Sequence, residues 1–290
     1  MALVHGPSGH DIGESACMDT AVNVLGDLTV LSAQRNMTPS APKQRQVLAL
    51  LSARANRLTL TEDLYRELWG SRPPRTAAAT LHTYIGQLRR SMAKALDVAP
   101  RAVSERLLRT QPGGYVLRAD PGRYDYAQYQ RLLDKADEAR RTRQAEKAVP
   151  HYRAALDLWR GPALADISCG PVLRVWAERA NESRLNSTEK LIALELQLGN
   201  PLEVLSELRE LAARHPLHEN LHGQLMVALS LAGRRNEALE TYHSLRKRIV
   251  RELGLEPSAR LTLLLQDIIK SRPHVHALWG LDSHDMQYSA

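Results

Sequence analysis

Between positions 42 and 115 the sequence carries three helical hydrophobic patterns and then the pattern of a β-hairpin. Apolar residues in each helical segment recur every three to four positions, so each segment has one face suited to packing. Gly70 and Pro73–Pro74 end the second segment, because glycine favours a helix C-cap and proline cannot continue the backbone hydrogen bonds. Three mutually packed helices ahead of a hairpin predict a winged helix-turn-helix. The apolar stripes are Val47, Leu50 and Leu51; Leu64, Leu68 and Trp69; and Leu81, Ile85, Leu88 and Met92.

The opposite face of the third helical segment is polar and ends in cations. Glutamine can pair bidentately with adenine and arginine with guanine, and threonine offers a hydroxyl or a methyl group to a base edge. This face therefore suits the major groove of DNA, and the alternative is a solvated face of an ordinary amphipathic helix. The candidate DNA-contacting residues of this helix are Thr76, Thr80, Thr83, Tyr84, Gln87, Arg89, Arg90 and Lys94.

Residues 107–117 have the pattern of two short strands joined by the turn sequence Gln-Pro-Gly-Gly. Such a wing can follow the sugar-phosphate backbone or the minor groove and donate hydrogen bonds to phosphate oxygens. An ordinary strand-turn-strand unit without a nucleic-acid role is the alternative. The candidate residues for wing and backbone contacts are Arg109, Thr110, Gln111, Gly113, Gly114 and Tyr115.

The positive charge of the chain is concentrated around these motifs. From position 21 to position 120 there are 15 Lys and Arg against 7 Asp and Glu, a net charge of +8 in a chain whose total is +7. A domain that binds DNA by displacing phosphate counterions needs such an excess. A membrane-surface role fits less well, because no basic amphipathic segment with exposed aromatic residues is present.

Ahead of the helices, alternating apolar residues flank the turn-forming pair Gly26-Asp27 and predict an N-terminal hairpin. The alternating residues are Val22, Val24, Leu28 and Val30. Residues 1–20 lack the basic start and apolar core of a signal peptide, so we expect them to form a mobile extension.

The second half of the chain reads as amphipathic helices with an internal repeat of 34 residues, the period of tetratricopeptide units. Under this shift Gly199 aligns with Gly233 and Leu208 with Tyr242, which predicts a glycine turn between paired helices. Pro216 falls where a repeat should end, whereas Pro257 comes later, so we expect the final helix of the repeat to be extended. The concave surface of stacked helix pairs either binds another macromolecule or serves only to maintain the fold.

Signatures of catalysis and metal binding are absent from the sequence. It contains no phosphate-binding glycine loop, dinucleotide fingerprint, HExxH or GxSxG motif, so we expect neither an enzyme nor a cofactor. Cys17 and Cys169 are too few and too far apart for a disulfide framework or a zinc site, and no metal site is expected. No segment reaches the length of about 20 apolar residues that a membrane span requires, and we expect a cytoplasmic protein with no membrane partner.

Several segments together resemble the Streptomyces antibiotic regulatory protein family of pathway-specific transcription activators. The resemblance extends from position 22 to position 257, and both halves occur in the order of the family. One departure is Gln87, preceded by Gly86, where such proteins usually carry arginine. The segments that carry the resemblance are VNVLGDLTV (22–30), APKQRQVLALLSARAN (41–56), LYRELWG (64–70), PPRTAAATLHTYIGQLRR (73–90), RTQPGGYVL (109–117), LWRGPALADI (158–167) and the stretch from LRELAARHPL to VRELGLEP (208–257).

The resemblance implies a mostly α-helical protein, in which an OmpR-type winged helix-turn-helix of α+β structure precedes an all-α, tetratricopeptide-like activator domain. We place the winged helix at 21–120, the activator domain at 121–272 and a tail at 273–290. The implied function is activation of secondary-metabolite (antibiotic) biosynthesis genes by a homodimer on promoter direct repeats, with recruitment of the RNA polymerase holoenzyme. Arg72 and Arg75, between the second and third helices, are candidate polymerase contacts. The competing hypothesis is a tetratricopeptide-type adaptor with a non-specific basic winged helix.

Overall fold

The computed structural model describes residues 20–32 and 35–270. The predicted extension, apart from Thr20, and the predicted tail at 273–290 lie outside these residues. The strands are β1 (Thr20–Asn23), β2 (Thr29–Ser32), β3 (Arg35–Asn36), β4 (Thr59–Leu60), β5 (Leu108–Gln111) and β6 (Gly114–Leu117). The helices are α1 (Pro42–Ala53), α2 (Thr61–Trp69), α3 (Ala77–Leu96), α4 (Pro100–Arg106), α5 (Asp125–Arg141), α6 (Ala145–Leu156), α7 (Pro171–Gln197), α8 (Pro201–Arg214), α9 (Glu219–Leu231), α10 (Arg235–Leu253) and α11 (Ala259–Ile269).

The predicted fold class is confirmed, because a small winged helix-turn-helix region precedes a helical region and helices predominate. By packing, the described residues form two units. Unit 1 comprises 20–133 and 154–184, and unit 2 comprises 134–153 and 185–270. The boundaries between them fall inside α5, α6 and α7. Within the described residues, no helix is both long enough and apolar enough to cross a bilayer.

Unit 1 begins with an antiparallel sheet in the order β1-β2-β3. Val22 pairs with Val30 across the first hairpin, and both side chains are fully buried, as are Val24 and Leu28. The N-terminal hairpin predicted from alternating apolar residues is therefore confirmed. Helices α1, α2 and α3 pack on one another, and a second antiparallel sheet in the order β4-β6-β5 follows.

A buried carboxylate holds the N-terminal hairpin to the segment that follows α6. Asp125 is 3% exposed and accepts hydrogen bonds from the amides of Val24 and Leu25 and from the Arg160 guanidinium. Gly26 has φ +139°, and a Cβ at this position would lie 3.0 Å from the Cβ of Arg160. The turn therefore requires glycine both for its backbone angle and for its close approach to Arg160.

A second buried carboxylate, that of Glu67 in α2, caps the N-terminus of α7. Its oxygens accept hydrogen bonds from the amides of Gly170, Val172 and Leu173 at 2.5, 3.0 and 2.8 Å. Gln46 donates a fourth bond at 2.9 Å. The first amides of a helix have no partner inside the helix and favour a negative charge, so Glu67 joins the second helix of the helix-turn-helix to α7.

Unit 2 contains the predicted helical repeat. Gly199 lies between α7 and α8, and Gly233 lies between α9 and α10, with φ +79° and +74°. Leu208 and Tyr242, the aligned positions of the two repeats, are both buried. Helix α10 has 19 residues against 14 in α8, in line with the expected extension. The turn geometry and burial agree with the 34-residue period, because equivalent positions have equivalent environments.

Candidate nucleic-acid interface

Helix α3 is positioned by its apolar stripe and presents its polar face to solvent. Leu81, Ile85, Leu88 and Met92 are each at most 1% exposed and belong to the core that α1 and α2 share. On the other side Thr76, Thr83, Arg90 and Lys94 are exposed, whereas Thr80, Tyr84, Gln87 and Arg89 are half-buried. The helix therefore has the two-faced character that its sequence predicts.

The polar face of α3 combines cations that have no partner in the described part of the chain with side chains that are already hydrogen-bonded. Arg90 and Lys94 form no side-chain hydrogen bond or ion pair with any described residue. Gln87 accepts a hydrogen bond of 2.8 Å from Gln44 in α1, which holds its amide in place. Thr83 donates its hydroxyl to the Ala79 carbonyl at 2.9 Å, so its methyl group and oxygen lone pair remain available.

Gly86 lies on this face one turn before Arg90. A Cβ at Gly86 would lie 3.6 Å from a terminal guanidinium nitrogen of Arg90, so the arginine side chain passes over the glycine. Helical side chains point towards the N-terminus of their helix, which accounts for this path. The absence of a side chain at Gly86 leaves room for the Arg90 guanidinium to lie against the helix surface.

The wing consists of β5, β6 and the turn Pro112-Gly113, as the sequence predicts. Gly113 has φ +83°, which the turn requires. Gly114 is buried, and a Cβ there would lie 2.1 Å from the Thr59 carbonyl oxygen of β4. The structure thus assigns Gly114 to packing between β6 and β4, while Arg109 and Thr110 are exposed and Gln111 is half-buried.

Arg89 joins the wing to α3. Its guanidinium donates two hydrogen bonds to the Leu108 carbonyl at 3.0 and 2.8 Å and a third to the Thr110 hydroxyl at 2.8 Å. Burial raises the pKa of Tyr115 and the positive charge of Arg89 opposes this shift, so the two side chains are close. The structure therefore gives Arg89 a role in fixing the wing beside the polar face of α3.

The loop between α2 and α3 carries Arg72 and Arg75, and both are exposed. Neither forms an ion pair with the part of the chain that the structure describes. Helix α4, between α3 and the wing, was not predicted, although Pro100 at its first turn is a recognised start signal. The contact of Gln44 with Gln87 was also not predicted, because a polar residue on α1 has no local feature that marks its partner.

Two family models match the chain. The model described as "Transcriptional regulatory protein, C terminal" matches residues 36–117, and the model described as "Bacterial transcriptional activator domain" matches residues 124–269. Regulatory protein DnrI of Streptomyces peucetius is 41% identical over 254 residues, which cover 88% of this chain and 93% of that protein. Transcriptional regulator RedD of Streptomyces coelicolor is 34% identical over 283 residues, which cover 95% of this chain and 77% of that protein.

A solved structure is also similar to the chain. It is Mycobacterium tuberculosis EmbR in complex with a low affinity phosphopeptide, with a TM-score of 0.79 and 28% sequence identity. The similarity covers 90% of this chain and 68% of the EmbR chain. The likeness therefore extends over both the winged helix-turn-helix and the helical region.

Proposed function

Because the chain belongs to the Streptomyces antibiotic regulatory protein family of transcriptional activators, we propose that it binds promoter DNA sequence-specifically and activates genes of one secondary-metabolite pathway. The proposal rests on one observation above all. The polar face of α3 ends in the cations Arg90 and Lys94, which have no partner among the described residues, and Arg89 holds the wing beside that face. A recognition helix with a wing attached beside it offers base contacts and phosphate contacts on one surface.

The proposed contacts divide into base reading and backbone binding. Arg90 is suited to a bidentate contact with guanine, while Thr83 and Gln87 offer a methyl group and an amide to neighbouring bases. Lys94 and Arg109 are exposed cations suited to phosphate oxygens. Gln87 acts with its oxygen bound to Gln44, so its amide hydrogens are the groups it presents to DNA.

Two molecules bind a direct repeat in this proposal. Successive half-sites one helical turn apart, about 10–10.5 bp or a multiple, place both molecules on one face of the duplex. Arg72 and Arg75 then contact RNA polymerase, because their loop is exposed and carries no ion pair among the described residues. Since the target is chromosomal DNA, the activity belongs in the cytoplasm and requires neither a cofactor nor catalysis.

Selection of bound sequences from random duplexes at two salt concentrations tests the proposal. We expect direct repeats at helical-turn spacing that are retained at the higher salt. Recovery of only non-specific, salt-sensitive binding would instead favour the adaptor hypothesis, since non-specific affinity comes from phosphate contacts.

The variant Arg90→Ala tests base recognition by α3 in the same assay. We expect it to weaken binding to the selected sequence by about 1–3 kcal/mol and to relax the preference at one position. Arg101→Ala is the matched control, because the Arg101 side chain is 86% exposed on α4 and lies outside the proposed interface. If Arg90→Ala and Arg101→Ala changed the sequence preference equally, Arg90 would not recognise a base.

A further inference from the structure

Unit 1 contains a cleft that is separate from the proposed DNA interface. Its volume is about 880 Å³, and it lies where the end of α1, the following loop at 54–58 and α2 face the first turns of α5 and α7. Sites for small molecules have volumes of about 300–1,000 Å³. Among the described residues, none from α3 or the wing lines the cleft.

Two aromatic side chains form one wall of the cleft. The rings of Tyr126 and Trp176 are 5.1 Å apart and inclined at 60°. Both are half-buried, and the Tyr126 hydroxyl has no hydrogen-bond partner within residues 20–32 and 35–270. Leu50 and Ala53 add buried apolar surface. A flat aromatic ring can pack against such a wall, because aromatic pairs favour edge-to-face and offset arrangements.

Three cations line the same cleft as this aromatic wall. Arg57, Arg66 and Arg179 line the cleft, are exposed and form no ion pair with the described part of the chain. The carboxylate in the lining, Asp63, is paired with Arg54 at 2.5 Å. The cleft therefore carries an excess of positive charge that no described residue neutralises.

Two of these cations converge on the aromatic wall. Burial raises the pKa of Tyr126, and the positive charges of Arg179 and Arg57 act in the opposite direction. Both guanidinium groups therefore lie within electrostatic reach of the Tyr126 hydroxyl, although one comes from α7 and the other from the loop after α1. Arg57 and Arg179 therefore bring two planar donors into the same cleft as the aromatic wall.

We propose that the cleft binds a small planar aromatic carboxylate. Arg57 and Arg179 bind the carboxylate, since guanidinium groups pair with carboxylates through two parallel hydrogen bonds. The ring packs against Tyr126 and Trp176, and the Tyr126 hydroxyl adds a hydrogen bond. The bound ligand links the helix-turn-helix to α5 and α7 and thereby supplies a small-molecule input to the activator proposed above.

Calorimetric titration of the full chain with three probes tests the charge and the ring separately. We expect 2-naphthoate to bind with a Kd below about 1 mM. We expect 2-naphthalenemethanol, which has the ring without the charge, and cyclohexanecarboxylate, which has the charge without the aromatic ring, to bind at least about tenfold more weakly. Equal binding of the alcohol, or absence of 2-naphthoate binding at about 1 mM, would overturn the proposal.

A double variant, Arg57→Gln with Arg179→Gln, tests the assigned residues. Both side chains are exposed, so we expect the fold to be retained and 2-naphthoate affinity to fall by at least about tenfold. Arg101→Gln on α4 is the control and should bind like the unmodified chain. Unchanged affinity in the double variant would show that the ligand binds elsewhere.

Hydrogen exchange of the unmodified chain with and without 2-naphthoate locates the site without any substitution. We expect slower exchange at 54–58 and in the first turns of α5 and α7, because bound ligand stabilises the segments it contacts. Slower exchange confined to other segments would refute the proposed location. None of these readouts contains DNA, so their failure would leave the proposed DNA binding unaffected.

Discussion

The variant Glu67→Gln should destabilise unit 1 strongly, although it replaces only one carboxylate oxygen by an amide NH2 group. Glu67 is 2% exposed, and its two oxygens accept four hydrogen bonds, three of them from backbone amides at the start of α7. Each carboxylate oxygen accepts two of the four bonds. The NH2 group of the glutamine amide is a donor that would face two donors, so half of these bonds are lost.

The loss in the free energy of unfolding can be estimated from the type of hydrogen bond that is lost. A hydrogen bond to a charged group contributes about 1.5–3 kcal/mol, and a buried donor left without a partner costs a similar amount. Loss of the negative charge also removes a favourable interaction with the N-terminus of α7, worth up to about 2 kcal/mol. At about 1.5 kcal/mol for each of the two lost bonds and up to about 2 kcal/mol for the charge, we expect a total loss of about 3–5 kcal/mol in the free energy of unfolding of unit 1.

Urea unfolding followed by tryptophan fluorescence measures this loss. Among the described residues the tryptophans are Trp69, Trp159 and Trp176, and all belong to unit 1. With a urea slope of about 2 kcal/mol per M, the midpoint should fall by about 1.5–2.5 M. Glu62→Gln on the same helix is the control, because Glu62 is exposed. A midpoint shift in Glu67→Gln no larger than in Glu62→Gln would refute the reasoning.

Three further predictions concern α3, the wing and unit 2. Arg89→Ala removes three hydrogen bonds to the wing, so hydrogen exchange of the backbone amides at 108–117 should accelerate. The affinity of the protein for DNA should fall to the same extent for all sequences. Unchanged amide exchange would contradict the proposed attachment of the wing to Arg89. Gly86→Ala should stabilise unit 1 by about 1 kcal/mol in the same urea assay, because alanine has the higher helix propensity. The new Cβ would contact only the Arg90 side chain, at 3.6 Å. A loss of stability would indicate a steric clash. Burial, and to a smaller extent the charge of Arg248, lowers the pKa of His222 to about 4. As the pH decreases, His222 is therefore protonated in the unfolded chain at a higher pH than in the folded chain. The free energy of unfolding consequently falls between about pH 6.5 and pH 4. His222→Leu should remove up to about 2 kcal/mol of this pH dependence. Urea unfolding followed by circular dichroism at pH 7 and at pH 5 measures the change. An unchanged pH dependence in the variant would contradict the assignment to His222.

Much of the fold was predictable because its signals are local. The stripe from Leu81 to Met92 specifies which side of α3 is buried, and the opposite side follows at once. Gly199 and Gly233 mark turns whose positive φ angles glycine adopts without strain. The wing was equally visible, since a Pro-Gly turn between two short apolar runs is a hairpin signal that needs no distant partner.

The packing of the predicted elements was less accessible. The stripe from Leu81 to Met92 places Arg90 opposite the core and Arg89 beside it, but nothing in the sequence shows that Arg89 is bonded to the wing while Arg90 has no partner among the described residues. Both are cations on the same helix, one position apart. Their environments differ because a rotation of about 100° separates neighbouring residues of a helix, and only the folded position of the wing decides which of the two it meets.

The sequence by itself determined the helices, the turns, the basic character of the winged helix and the apolar faces, because hydrophobic period and backbone preference are properties of a single segment. Only the tertiary structure decided that Glu67 caps a helix that begins more than 100 residues later and that Asp125 holds the N-terminal hairpin. A buried carboxylate requires donors, and any backbone amide is chemically suitable, so the choice among them depends on which segments lie next to one another after folding. The same reason applies to the cleft, whose aromatic wall and cations come from segments far apart in the chain.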